Sequence, residues 1–194
     1  MVKELKRCGW CLGNELYQSY HDDEWGSPTY DDQQLFEFLL LEGAQAGLSW
    51  ITILKKREGY RKAFDGFDAG KVAGYRPARI NKLLVNPDIV RNRLKLESAV
   101  SNARLFMDIR ERTGSFSEYV WQFTDHQPRQ NRFRSIEEVP AITPASDRMS
   151  KTMKKDGFKY VGSTICYAFM QATGMVNDHL VSCFRHEQCR RFLN

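Results

Sequence analysis

No stretch of this chain approaches about 18 uninterrupted apolar residues, which argues against a membrane-spanning helix. The amino terminus, MVKELKRCGW, lacks the apolar middle of a secretory signal. Strict alternation of apolar and polar residues is missing too, so no sheet is expected, and there is neither an internal repeat nor a low-complexity segment. The five cysteines are an odd number, which in a reducing compartment argues against a disulfide framework and leaves metal binding or plain burial. These absences predict a soluble, intracellular, cytoplasmic protein with no membrane partner.

The 194 residues are 42% hydrophobic and 27% charged, enough for one sizeable core. A single domain over 1–194, with room for two lobes, is expected. Net charge is +5 with a pI near 9.0. Basic residues gather at KKR (55–57), RNRLK (91–95), RQNRFR (129–134) and KTMKK (151–155). Such clusters suit phosphate contacts, although each also reads as a solvated helix face.

Helical periodicity dominates and predicts an all-α fold. The first strong helix opens at YDDQQLF, with Asp31 as cap, Gln34 three residues on, and Tyr30 and Leu35 as a hydrophobic staple. A second, SWITILKKREGYRKAF, follows a sharp exposed corner at Ala46, Gly47 and Leu48. Short helices near 69–74 and 77–84 come next, the latter opened by Pro77. A tight connection around Asn86 and Pro87 then leads into a long helix that Gly114 ends. Helix, hairpin and basic helix make a plausible phosphate-binding unit, and equally an ordinary turn between packed helices. Residues 124–145 read as a polar connection. Two closing helices are SDRMSKTMKKDG, capped by Ser146, and VGSTICYAFMQATG.

His179 and Cys183 stand four residues apart, a chelating spacing on a helical turn, and Cys8 and His21 lie near the other end. Two pairs of nitrogen and sulfur ligands would close a four-coordinate structural site that staples the chain's ends. The plainer reading is buried cysteines with unrelated histidines. Cys11 forms CGWC with Cys8, a spacing that also suits redox chemistry or a different ligand set.

In FLLLEGAQAGLSW, helical geometry places Glu42 on the apolar stripe with Leu35, Phe38, Leu39 and Ala46. A buried carboxylate costs several kcal/mol unless something pairs with it. Nearby, ELYQSYHDDEWG crowds Tyr17, Tyr20 and Trp25 around His21, and Trp10 and Trp50 add further flat side chains. Aromatic faces with one carboxylate suit a flat, electron-poor or cationic heterocycle; a packed aromatic core is the alternative.

Taken together, CGW (8–10), YHDDEWG (20–26), LLLEGAQAGLSWITILKKRE (39–58) and GFKYVGSTICYAFMQATGMVNDH (157–179) closely resemble the DNA-3-methyladenine glycosylase I family. That family is a zinc-containing branch of the helix-hairpin-helix DNA glycosylases. The likeness runs from about Arg7 to Cys183 and leaves 184–194 as a tail outside the pattern. It implies a helix-hairpin-helix glycosylase fold with one structural Zn2+ per chain, held by Cys8, His21, His179 and Cys183, joining the N- and C-terminal segments. It implies that Glu42 is the catalytic residue, that Trp50 and Tyr20 embrace the excised base, and that Tyr17 and Trp25 complete the pocket. Leu48 would plug the gap left in the duplex.

The implied activity is base-excision repair. A monofunctional glycosylase would flip 3-methyladenine out of alkylated double-stranded DNA, hydrolyse its N-glycosidic bond, and release the free base while leaving an abasic site. A monomer is expected. Some features depart from the pattern: Cys11, the tail's His186 and Cys189, and a hairpin, VNPDIVRN, without the common glycines. No Gly-Pro pair precedes a catalytic aspartate, and the helix after Asn86 runs past Asp108, in line with a branch that manages without that residue. A rival from another class is a zinc-stapled module that binds damaged DNA without cutting, which would need the basic hairpin but not Glu42.

Overall fold

The computed structural model describes residues 5–191. The terminal residues 1–4 and 192–194, on which parts of the amino-terminal and tail readings fall, lie outside the described residues. The elements run α1 (Glu15–Asp23), α2 (Asp32–Gln45), α3 (Trp50–Ala63), α4 (Ala69–Ala73), α5 (Pro77–Leu84) and α6 (Arg93–Thr113). They continue with α7 (Phe116–Trp121), β1 (Arg129–Gln130), α8 (Pro144–Lys155), α9 (Ser163–Ala172), β2 (Val176–Asn177) and α10 (Phe184–Arg190). The all-α expectation holds. The only described strands are β1 and β2, two residues each, paired in parallel. Among the described residues no helix is long and apolar enough to cross a membrane.

Helix α2 begins as its sequence dictates, with the Asp31 side chain accepting from the Gln34 amide at 2.8 Å. Tyr30 stacks on Trp121 with ring centroids 4.3 Å apart. From Leu35 to Glu42 every residue of α2 is buried, because α3, α6, α7 and α9 all pack against it. Each buried Leu or Phe here contributes about 1.5–3 kcal/mol, so α2 is the axis of the core.

Helix α1 was not anticipated, and two local expectations are corrected. ELYQSYHDD is a helix, α1, capped by the Asn14 side chain on the Tyr17 amide at 3.1 Å. Helix α8 starts before Ser146: Thr143 is the cap, and Ser146 is its partner three residues on in a reciprocal capping box. The span from His179 to Cys183 is not helical but an irregular loop after β2. Helix α7 was hidden in the sequence by its shortness.

The connection between α5 and α6 is moulded on α3. Lys56 Nζ donates to Pro87 O at 2.7 Å, and the Val90 amide donates to Tyr60 Oη at 3.1 Å. Between these, Gly59 lets the backbone of Asp88 approach so closely that a Cβ at residue 59 would lie 2.4 Å from Asp88 O. Gly59→Ala should therefore push the turn off α3 and destabilise the fold by about 1–3 kcal/mol, read as a lowered denaturation midpoint.

Candidate active site and metal centre

Helix α2 carries two buried glutamates whose surroundings differ. Glu37 accepts from Arg57 Nε at 2.6 Å and from Arg61 Nη2 at 3.1 Å. Arg57 also donates to Glu24 at 2.8 Å, so the charges at this end are neutralised and bind α3 to α2. Glu42 is 3% exposed, and its Oε2 has no hydrogen-bond partner. Burial pushes its carboxyl up to about 8 from the usual 4.5.

Glu42 faces a cavity of about 280 Å³. Tyr17 and Tyr20 line it from α1, Glu42 and Gln45 from α2, and Trp50 from the first position of α3. Trp10, Trp25, Ile136, Val139, Ala168, Gln171 and Asp178 complete the wall. Tyr17 Oη accepts from the Ile51 amide at 3.1 Å, which satisfies one orphan donor of the first turn of α3 and pins that turn to α1. The indole Nε1 of Trp50 is buried without a partner. One buried acceptor and one buried donor therefore stand unpaired at the same cavity, where a ligand with polar edges would satisfy both.

The rings of Tyr20 and Trp50 lie 5.5 Å apart at 50°. They touch each other as a tilted pair, not as two parallel walls with a gap of one base between them. Trp10 meets Tyr17 at 5.3 Å and Trp25 at 5.1 Å, both edge to face.

Behind this aromatic wall the side chains of Cys8, His21, His179 and Cys183 converge, all buried, with their ligand atoms within 4.8 Å of one another. His21 Nε2 and His179 Nδ1 are 3.2 Å apart. Cys183 Sγ lies 3.4 Å from His21 Nε2 and 3.7 Å from His179 Nδ1, and Cys8 Sγ lies 3.7 Å from His179 Nδ1. Bonds of about 2.0–2.3 Å to a tetrahedral ion put neighbouring ligand atoms roughly 3.3–3.8 Å apart, so the spacing fits.

The outer ring nitrogens agree. His21 Nδ1 donates to Asp22 Oδ1 at 2.8 Å, and His179 Nε2 donates to Trp25 O at 2.9 Å. Both inward nitrogens then carry lone pairs, that of His21 meeting only a long contact from the Cys8 amide at 3.4 Å, and a cation between them would satisfy both at once. Asp22 is held in turn by Arg7 at 2.7–3.0 Å. The residues fit a metal ion. His21 and His179 also pack edge to face on Trp10 and Trp25, at 5.4 and 4.7 Å, so the centre and the pocket share a wall.

Every residue expected in the pocket lines it, and the four expected ligands meet. Leu48 does not line the cavity; it stands 40% exposed on the corner before Trp50. Cys11 is buried with its thiol donating to Cys8 O at 3.1 Å, and His186 bonds to Asn131 O at 2.9 Å. Neither belongs to the cluster, nor does Cys189. Sequence reasoning missed Asp178, which accepts from Tyr167 at 2.6 Å, Gln171 at 2.8 Å and Asn131 at 2.6 Å and so braces the cavity floor. Its one signal was its place beside His179. Gln45, Ile136 and Val139 carried none.

Residues 10–186 match the methyladenine glycosylase family, and the chain belongs to that family. It is 48% identical over 179 residues to DNA-3-methyladenine glycosylase 1 of Escherichia coli strain K12, covering 92% of this chain and 96% of that protein. A crystal structure of 3-methyladenine DNA glycosylase I superposes with a TM-score of 0.90 at 49% identity, covering 92% of this chain and 98% of the other. A further 3-methyladenine DNA glycosylase I, solved in complex with 3-methyladenine, superposes with a TM-score of 0.89 at 35% identity, over 92% and 96% of the two chains. The family match ends at residue 186, inside α10, so the tail is partly within it.

Proposed function

We propose that this protein is a monofunctional DNA glycosylase of base-excision repair that releases 3-methyladenine from alkylated double-stranded DNA. The observation that carries the reading is the contrast within α2: Glu37 is neutralised by two arginines, whereas Glu42, equally buried, is aimed at an aromatic cavity with no partner of its own. A fold that leaves a carboxylate in that state forgoes stability at a site where a ligand supplies what is missing.

The chemistry suits such a ligand. Adenine methylated at N3 is cationic, so its glycosidic bond is already weak, and the base departs neutral as water adds at C1′ of the sugar. The protein therefore needs neither a strong acid nor a nucleophile. It needs to hold the flipped nucleotide and stabilise charge as the bond breaks.

Glu42 accepts from the amine edge of the base and offsets its positive charge, and the surrounding low dielectric strengthens the pairing. Tyr17, Tyr20, Trp25 and Trp50 supply the stacking faces. Because Tyr20 and Trp50 touch in the free pocket, a base stacked between them requires the two rings to part. Leu48, on the exposed corner, fills the space the nucleotide vacates. The turn between α5 and α6, with Arg91 and Arg93 beside it, serves as the phosphate-binding hairpin. The ion at the four-ligand centre is zinc, with a structural role, because four protein ligands leave no position for water. The enzyme acts as a monomer, and its product is an abasic site.

The test is to incubate the protein with methylated duplex DNA and identify the released bases chromatographically. Free 3-methyladenine with unbroken strands is expected. Tight binding with no base released would instead make this a damage-binding module.

A further inference from the structure

The corner that carries Leu48 is held by a residue of another helix. Lys95 sits in the first turn of α6, where its amide is fixed by the Asn92 side chain at 3.2 Å. Its side chain crosses to α2, and its ammonium donates to Ala44 O at 2.8 Å and Ala46 O at 2.5 Å. Those carbonyls are at the end of α2, where intrahelical donors run out and the negative end of the helix dipole gathers.

Beyond them the chain turns sharply. Ala46 leaves the helix at φ −42°, ψ 115°, Gly47 takes φ +78°, and the Leu48 amide returns to Gln45 O at 2.6 Å. A side chain cannot follow Gly47 into that conformation without strain, so the corner is a defined shape hung on two anchors. One anchor is the start of α3, pinned by Tyr17. The other is Lys95. Its ammonium is partly buried, which holds it below the usual lysine value; a lysine placed only for solubility would stay in water.

We propose that Lys95 is a positioning residue for duplex substrates: by clamping the end of α2 it sets the height at which Leu48 stands beside the pocket. Because Lys95 opens α6, the clamp also ties Leu48 to the turn at residues 85–92. A phosphate backbone seated on that turn thereby meets the wedge in fixed register. This inference rests on the reading of Leu48 as the wedge.

Single-turnover release of 3-methyladenine from duplex and from single-stranded DNA tests it, with Lys95→Met, Lys95→Arg, Leu48→Ala and Lys95→Met/Leu48→Ala compared. In a single strand no stack has to be held open. Leu48→Ala should lose about tenfold or more on duplex and little on single strands, and Lys95→Met should do the same. Lys95→Arg, which keeps a cation and its donors, should recover most of the loss. The double variant should be no worse than Leu48→Ala alone, because two residues acting through one wedge are not additive. Equal losses of Lys95→Met on both substrates, or a double variant whose loss is the product of the singles, overturn the assignment while leaving the wedge intact. Equal losses for Leu48→Ala itself overturn the wedge and this assignment with it. Should Lys95→Met not fold, Lys95→Gln carries the same comparison.

Discussion

Glu42→Gln should abolish most base release and at the same time make the protein more stable. The amide keeps the size of the side chain and can still accept a hydrogen bond, but it cannot oppose a positive charge. Removing one preorganised electrostatic partner of a reacting group typically costs 100-fold or more in rate, and about that loss is expected. Stability moves the other way because the native carboxyl titrates near 8, not at 4.5. An acid whose folded value is raised is at its most favourable below its unfolded value, and that stability is lost as pH rises through the folded one. Every pH unit separating the folded from the unfolded value is worth about 1.4 kcal/mol, so above pH 8 the wild type carries a penalty of several kcal/mol that the glutamine variant lacks. The variant should therefore melt near wild type at pH 4, higher at pH 7, and highest relative to wild type at pH 8 and beyond. A variant that melts lower at pH 8 would mean that Glu42 is paired in solution.

The same group sets a pH profile for the reaction. If the ionised carboxylate faces the cationic base, kcat/KM should rise with pH up to about 8 and then level, and Glu42→Gln should flatten that limb. An activity that falls above pH 8 would show instead that the neutral acid is the working form, donating to a ring nitrogen of the base.

How much of this was legible before the structure depends on the range of the interaction. Helix α2 announced itself because its start signal and its apolar stripe are local, and Glu42 stood out because one charge in an apolar run violates a local rule. Helix α1 was overlooked, although Asn14 is a sound cap, because its aromatic and charged residues line the cavity and the Cys/His cluster and blur the apolar stripe. The pairing of Cys8 and His21 with His179 and Cys183 rested on residue type and resemblance, since no local pattern joins positions at opposite ends of the chain. Asp178, Gln45, Ile136 and Val139 were invisible for a similar reason. They become pocket residues only through where β2, α2 and the 131–143 segment are carried by the fold.

Removal of the metal is expected to be the most damaging change to the fold. Without a cation, two imidazole lone pairs would face each other at 3.2 Å beside two thiol sulfurs in a site closed to water. Such a cluster is costly when unfilled and strongly stabilising when filled, and here it joins the segment before α1 to the loop after β2. Purified protein should contain about one zinc per chain. Cys183→Ala and Cys8→Ala should each lower the metal content, and the melting temperature should fall by about 10 °C or more, as expected for several kcal/mol in a chain of this size. Cys11→Ala and Cys189→Ala should keep the metal, since the Cys11 thiol is spent on a backbone carbonyl and Cys189 lies outside the ligand set. Full zinc in Cys8→Ala with loss in Cys11→Ala would show that the other cysteine of CGWC is the ligand. Base release should decline with the metal even though none of the four cluster residues lines the cavity. Trp10 and Trp25 pack edge-on against the two histidines, and a wall whose support has collapsed cannot hold a flat ring in place.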